Sequence, residues 1–84
     1  MIVRIGICDD ESRVRLKTRQ LVEKYLTMYE LTYEIYEFSS GEELLASYPQ
    51  PLDVLLLDIT MGQLNGIETA KEIRSFDSTV DIIF

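Results

Sequence analysis

Four apolar residues, Val54-Leu55-Leu56-Leu57, run without a polar interruption straight into Asp58. Successive strand side chains point to opposite faces, so a strand with one wet face alternates polar and apolar residues. A run without alternation suits a strand covered on both faces, as at the centre of a parallel sheet layered by helices. A second strand-like run, Ile2-Val3-Arg4-Ile5-Gly6-Ile7-Cys8, leads into Asp9-Asp10-Glu11. Around these two runs, segments of helical and strand period alternate with short connections. This organisation predicts an α/β domain with a parallel sheet.

The first strand is read as Ile2 to Cys8, and a helix follows from about Ser12 to Met28. Val14, Thr18, Leu21, Val22, Tyr25 and Met28 are spaced as one face of that helix, with Leu16 off the stripe. Leu31 to Phe38, rich in Tyr and Ile but carrying Glu34 and Glu37, reads as a strand near a sheet edge. Ser39-Ser40-Gly41-Glu42-Glu43 has glutamates three residues after its serines, the pattern of a capping box. The short helix it opens stops before Tyr48-Pro49, since a proline restricts the residue ahead of it. After the third strand and a loop from Ile59 to Leu64, Asn65 and Glu68 mark another cap, with Ile67, Ala70 and Ile73 on one side of the helix. Asp81-Ile82-Ile83-Phe84 resembles the opening of a fourth strand. An end inside an apolar strand leads us to expect residues 1–84 to be the N-terminal part of a larger domain. An open fourth strand is also expected to favour self-association, strand exchange or a poorly ordered end.

Composition excludes several classes of function. The chain has no histidine, which removes His-based zinc sites and histidine-dependent triads. Its single cysteine, Cys8, lies in a strand-like run and reads as a small buried hydrophobe. A net charge of −7 opposes direct nucleic-acid binding, which depends on neutralising phosphates. The basic residues cluster at Arg13, Arg15, Lys17 and Arg19, read as a solvated helix face. No apolar stretch is long enough to span a membrane and the start lacks a signal-peptide pattern, so a cytoplasmic domain is expected.

The carboxylates at the strand ends carry the chemistry. The flavodoxin-like strand order 2-1-3-4 makes the first and third strands neighbours, and ligands of such sheets bind outside the carboxyl ends of the strands at this switch point. Asp9, Asp10 and Asp58 would then converge, and their mutual repulsion calls for a hard cation such as Mg²⁺. Asp58, leaving a rigid strand, is the candidate nucleophile toward phosphorus. Asp9 and Asp10 are candidate Mg²⁺ ligands, with the backbone carbonyl of Thr60 completing the set. Gly62 and Gly66 would let the intervening loop turn tightly. Taken singly, each residue has a plainer reading: acids favouring a helix N-terminus, a turn aspartate, an ordinary loop threonine. Asp53, Asp77 and Asp81 lie elsewhere and read as solvated or turn residues.

Four segments in order, Ile7 to Glu11, Phe38 to Leu45, Asp53 to Met61 and Asn65 to Glu68, resemble the receiver domains of two-component response regulators. The flavour is that of receivers preceding a LytTR-type DNA-binding domain. The resemblance implies a phosphoacceptor and not an enzyme: Asp58 takes a phosphoryl group from a phosphohistidine on a sensor histidine kinase. It also implies Mg²⁺ on Asp9, Asp10, Asp58 and the Thr60 carbonyl, and control of an output domain, DNA-binding and lying outside these residues. Two departures bear on it. Gly62 stands where the family usually has proline, and the family's Ser or Thr after the fourth strand and Lys after the fifth fall beyond Phe84. From these we expect weak Mg²⁺ binding and slow or absent phosphorylation.

Two other classes compete. A Mg²⁺-dependent phosphatase that forms an aspartyl phosphate typically has a second acid two residues after its nucleophile, where this chain has Thr60. A non-phosphorylated docking module on the same fold is disfavoured by the retained Asp9, Asp10 and Asp58. Flavin or dinucleotide binding fits worst, because the first strand runs into acids instead of a glycine-rich phosphate loop.

Overall fold

A computed structural model describes all 84 residues. Strands β1 (Ile2–Cys8), β2 (Thr32–Phe38), β3 (Val54–Leu57) and β4 (Asp81–Ile83) alternate with helices α1 (Ser12–Met28), α2 (Gly41–Ala46) and α3 (Gly66–Arg74). The strands form one sheet in the order β2-β1-β3-β4. All three pairings are parallel, with Cys8 beside Phe38 on one side and Leu57 on the other. The fold class and strand order expected from the sequence are thus borne out. No helix is long and apolar enough to cross a membrane.

Alternation along the strands divides the apolar residues between two layers. On one face Cys8, Phe38, Leu44, Leu55, Leu57, Met61, Ile73 and Val80 belong to one buried cluster beneath α2 and α3. On the other, Ile5 and Ile7 pack with Leu26 of α1, and Val54 and Leu56 are only partly buried. The unalternating run in β3 is therefore fully covered on one face and half covered on the other. The packed side of α1 also differs from expectation. Leu26 is its one buried residue, whereas Val14, Leu21, Tyr25 and Met28 are exposed. The reason lies in Arg15 and Arg19, which occupy the packed side with Leu26 and hold Glu37 of β2.

Helix ends follow local chemistry. Ser40 caps α2 by accepting from the Glu43 amide at 3.0 Å, while the Glu43 carboxylate reaches back to the Ser39 hydroxyl at 2.6 Å. Asn65 and Glu68 complete a reciprocal capping box at α3. Helix α1 ends in a Schellman motif: the Leu31 amide donates to Leu26 and the Glu30 amide to Thr27. Glu30 fills the left-handed position there, at φ 56°.

Candidate functional site

Backbone pairing at the carboxyl edge of the sheet places the acids. The Asp9 amide donates to the Phe38 carbonyl at 3.1 Å, and the Asp58 amide donates to the Cys8 carbonyl at 3.0 Å. Both residues thus extend the parallel ladders by one step before the chain turns away. As a result, Asp9, Asp10 and Asp58 each offer a carboxylate oxygen, all within 4.8 Å of one another. Asp9 and Asp58 are half-buried and Asp10 is exposed.

Neighbouring groups orient the carboxylates. Asp9 Oδ1 accepts from the Glu11 amide at 2.9 Å, at the start of α1. Asp58 Oδ1 accepts from the Thr60 amide at 3.2 Å and the Thr60 hydroxyl at 3.4 Å. Asp58 Oδ2 makes no hydrogen bond. Thr60 therefore sits at the site by its amide and hydroxyl, which fix one oxygen of Asp58 and leave the other open.

The donor set suits a hard divalent cation. Octahedral Mg²⁺, with oxygens at ~2.1 Å, spans at most ~4.2 Å between opposite ligands. Carboxylate oxygens within 4.8 Å reach that span with small side-chain rotations. No histidine or accessible thiol competes for a softer metal. Cys8 lies directly beneath, buried, with its thiol directed to the Ser40 carbonyl at 3.3 Å and Met61 Sδ at 3.5 Å. Burial, reinforced by the carboxylates of Glu43, Asp9 and Asp58, pushes this thiol up to about 12. It stays protonated and inert, in line with the sequence reading.

Two supports of the site were not legible in the sequence. Arg15 donates to the Asp9 carbonyl at 2.8 Å and to Glu37 at 3.3 Å, and Arg19 donates to Glu37 at 2.6 Å. These two arginines are working parts of the α1–β2 contact, not members of a solvated face. Gly66, at the start of α3, packs against the backbone of Asp58: a Cβ there would collide with the Asp58 carbonyl and approach Ile59 Cα to 2.8 Å. Neither Gly62 nor Gly66 has a positive φ, so the expected tight turn is not what either supplies. Gly66 gives close approach, and Gly62 faces open space.

Asp77 also departs from its sequence reading. It is buried and accepts from the Tyr48 hydroxyl at 2.6 Å, the Thr79 amide and hydroxyl at 3.0 Å each, and the Val80 amide at 3.3 Å. The Tyr48 hydrogen bond, more than any other group, holds this carboxyl below the usual carboxylate range. It is a turn residue, as expected, but a buried one that leads the chain into β4.

Comparison with known proteins adds a family. The model of the response regulator receiver domain matches residues 5–84. The chemotaxis protein CheY of Thermotoga maritima is 32% identical over 82 residues, covering 95% of this chain and 63% of CheY. The probable transcriptional regulator ycf27 of Guillardia theta is 38% identical over 81 residues, covering 95% of this chain and 29% of ycf27. Among solved structures, the response regulator protein TrrA of Thermotoga maritima in complex with Mg²⁺-BeF superposes with a TM-score of 0.74 at 34% identity, covering 98% of this chain and 67% of TrrA. TrrA has also been solved in complex with the histidine kinase ThkA, at a TM-score of 0.67 and 31% identity, covering 95% of this chain and 65% of the matched one. The chain thus spans under two thirds of CheY and about a third of the regulator.

Proposed function

We propose, for a chain that belongs to the response regulator receiver domain family, that Asp58 is the phosphoacceptor and that Asp9, Asp10 and the Thr60 carbonyl hold Mg²⁺ beside it. One observation carries this reading: three carboxylates meet at the ends of adjacent parallel strands while one oxygen of Asp58 stays free of hydrogen bonds.

The donor is a phosphohistidine on a sensor histidine kinase, in keeping with the kinase complex of TrrA. Asp58 Oδ2 attacks phosphorus; the P–N bond breaks, and the departing imidazole keeps the electron pair and takes up a proton. Thr60 holds Oδ1 during the attack, so the carboxylate presents one oxygen in a fixed direction. Asp9 and Asp10 supply the anionic oxygens for the cation, with Asp9 oriented by the Glu11 amide. Bound Mg²⁺ neutralises the charge that would otherwise repel an incoming phosphoryl group. The full-length protein then couples this event to an output domain, DNA-binding by analogy with the transcriptional regulators among its relatives. Thr60 stands where an aspartyl-phosphate phosphatase would need an acid, and a threonine hydroxyl cannot serve as one at neutral pH.

The test is labelling by a small acyl phosphate, followed by intact-mass and peptide mapping. The expected product carries one phosphoryl group on Asp58, requires Mg²⁺, and is absent from Asp58→Asn, however slowly it forms. Mg²⁺-independent labelling, or a label mapped elsewhere, overturns the assignment.

A further inference from the structure

The helices cover the two faces of the sheet unequally. One face lies beneath α2 and α3, whereas α1 packs on β1 and β2 and leaves β3 and β4 bare beside it. The gap is a trough of about 370 Å³ lined only by apolar side chains. Val3, Ile5, Val54 and Leu56 form its floor, and Leu21 and Tyr25 rise as its wall. Through Leu56 it continues into a smaller cleft of about 220 Å³ that reaches Ile83, Asp9 and Asp58. Along the wall runs a ridge: Val14, Leu21, Tyr25 and Met28 are 43%, 63%, 59% and 64% exposed. Their spacing keeps them on one side of α1. Scattered exposed apolar residues need no explanation, but a ridge beside an apolar trough does.

We propose that a second copy of this chain covers the trough, in a two-fold dimer where α1 of each copy lies along the trough of the other. Shape favours this occupant, because a two-fold interface pairs one patch with itself and this patch carries both a ridge and a groove. Area favours it too. The ridge exposes on the order of 400 Å² per copy, and with the trough floor and Ile83 it approaches the ~800 Å² per partner of a stable interface. Charge agrees as well. Arg13, Lys17 and Lys24 border the ridge on its solvent side and join none of the four ion pairs. Asp81, on the same side of β4 as Ile83, and the acid cluster edge the trough they would meet. These contacts offset part of the repulsion between two chains of net charge −7.

Sedimentation equilibrium of the 84-residue chain tests the proposal, with circular dichroism confirming that each variant folds. The wild type is expected to be a monomer–dimer system. Leu21→Glu and Tyr25→Glu, at exposed positions, should each weaken the dimer on the order of 100-fold by placing a charge in an apolar interface. Leu16→Glu, off the ridge, should leave it intact. A wild-type chain that stays monomeric overturns the proposal, as does a dimer indifferent to Leu21→Glu, which would point to pairing through the β4 edge instead.

Discussion

Replacing Gly66 by alanine should damage the site from behind, without touching any carboxylate. A Cβ at position 66 meets the Asp58 carbonyl oxygen inside contact distance, Ile59 Cα at 2.8 Å and the Asp58 carbonyl carbon at 2.9 Å. Ordinary contacts begin at 3.4 Å, so α3 must withdraw by about 0.5–1 Å or the Asp58–Ile59 segment must move. All three obstructing atoms are backbone, and no rotamer change relieves them. Overpacking of this kind costs about 1–3 kcal/mol. Alanine's helix propensity offsets at most ~1 kcal/mol of that. The net loss, about 1–2 kcal/mol, corresponds to a fall in Tm of roughly 4–16 °C for a domain of this size. Urea denaturation measures the stability. Mg²⁺ titration followed by the chemical shifts of Asp9, Asp10 and Asp58 measures the site. Both should deteriorate together, because the displaced backbone carries Asp58. Gly62→Ala is the control, since nothing lies within 4 Å of its would-be Cβ. A Gly66→Ala protein with wild-type stability and Mg²⁺ affinity would refute the reasoning.

Three further outcomes are expected. Glu30→Gly should stabilise the domain by about 0.5–1 kcal/mol in urea melts, because glycine avoids the steric cost of the left-handed position at φ 56° that ends α1; unchanged or lower stability argues against strain there. Tyr48→Phe should cost about 1–2 kcal/mol at pH 7 by removing the 2.6 Å hydrogen bond to ionised Asp77. Because Asp77 has a depressed folded-state pKa, this stabilisation is present above its unfolded value of ~3.9 and fades as pH falls through the folded one, so melts at pH 7 and pH 3 should show the gap closing. Asp58→Asn should raise stability by about 1 kcal/mol without divalent cation, by relieving repulsion among carboxylates within 4.8 Å, and should lose most of the Mg²⁺-dependent rise in Tm; an equal Mg²⁺ response in both proteins would show that the cation binds elsewhere.

The parts of the fold legible in the sequence were those set by local pattern. Strand period, the Asn65–Glu68 box and the unalternating Val54–Leu57 run placed all seven elements and, through the strand ends, the three carboxylates. What stayed hidden depends on contacts distant in sequence. The apolar residues of α1 form an exposed ridge as well as a packed side, and spacing alone cannot tell which meets the sheet; arginines on the packed side disguised it further. The roles of Arg15 and Gly66 lie in main-chain carbonyls, of Asp9 and Asp58 respectively, and carbonyls leave no trace in residue identity. Asp77 was recognised as a turn residue, but its burial depends on Tyr48, 29 residues away.

The two amides that seat the acids have a thermodynamic consequence. Asp9 hangs from the end of β2 and Asp58 from the end of β1, each by its own N–H. The main chain beneath both carboxylates is therefore immobilised when the sheet forms, and the ordering entropy belongs to folding. A ligand arriving later has only side-chain torsions left to freeze, each a fraction of the ~1–2 kcal/mol that fixing a backbone residue costs. Affinity at this edge is thus tied to the integrity of the ladders: fraying of β1 against either neighbour would return that entropy to the binding step.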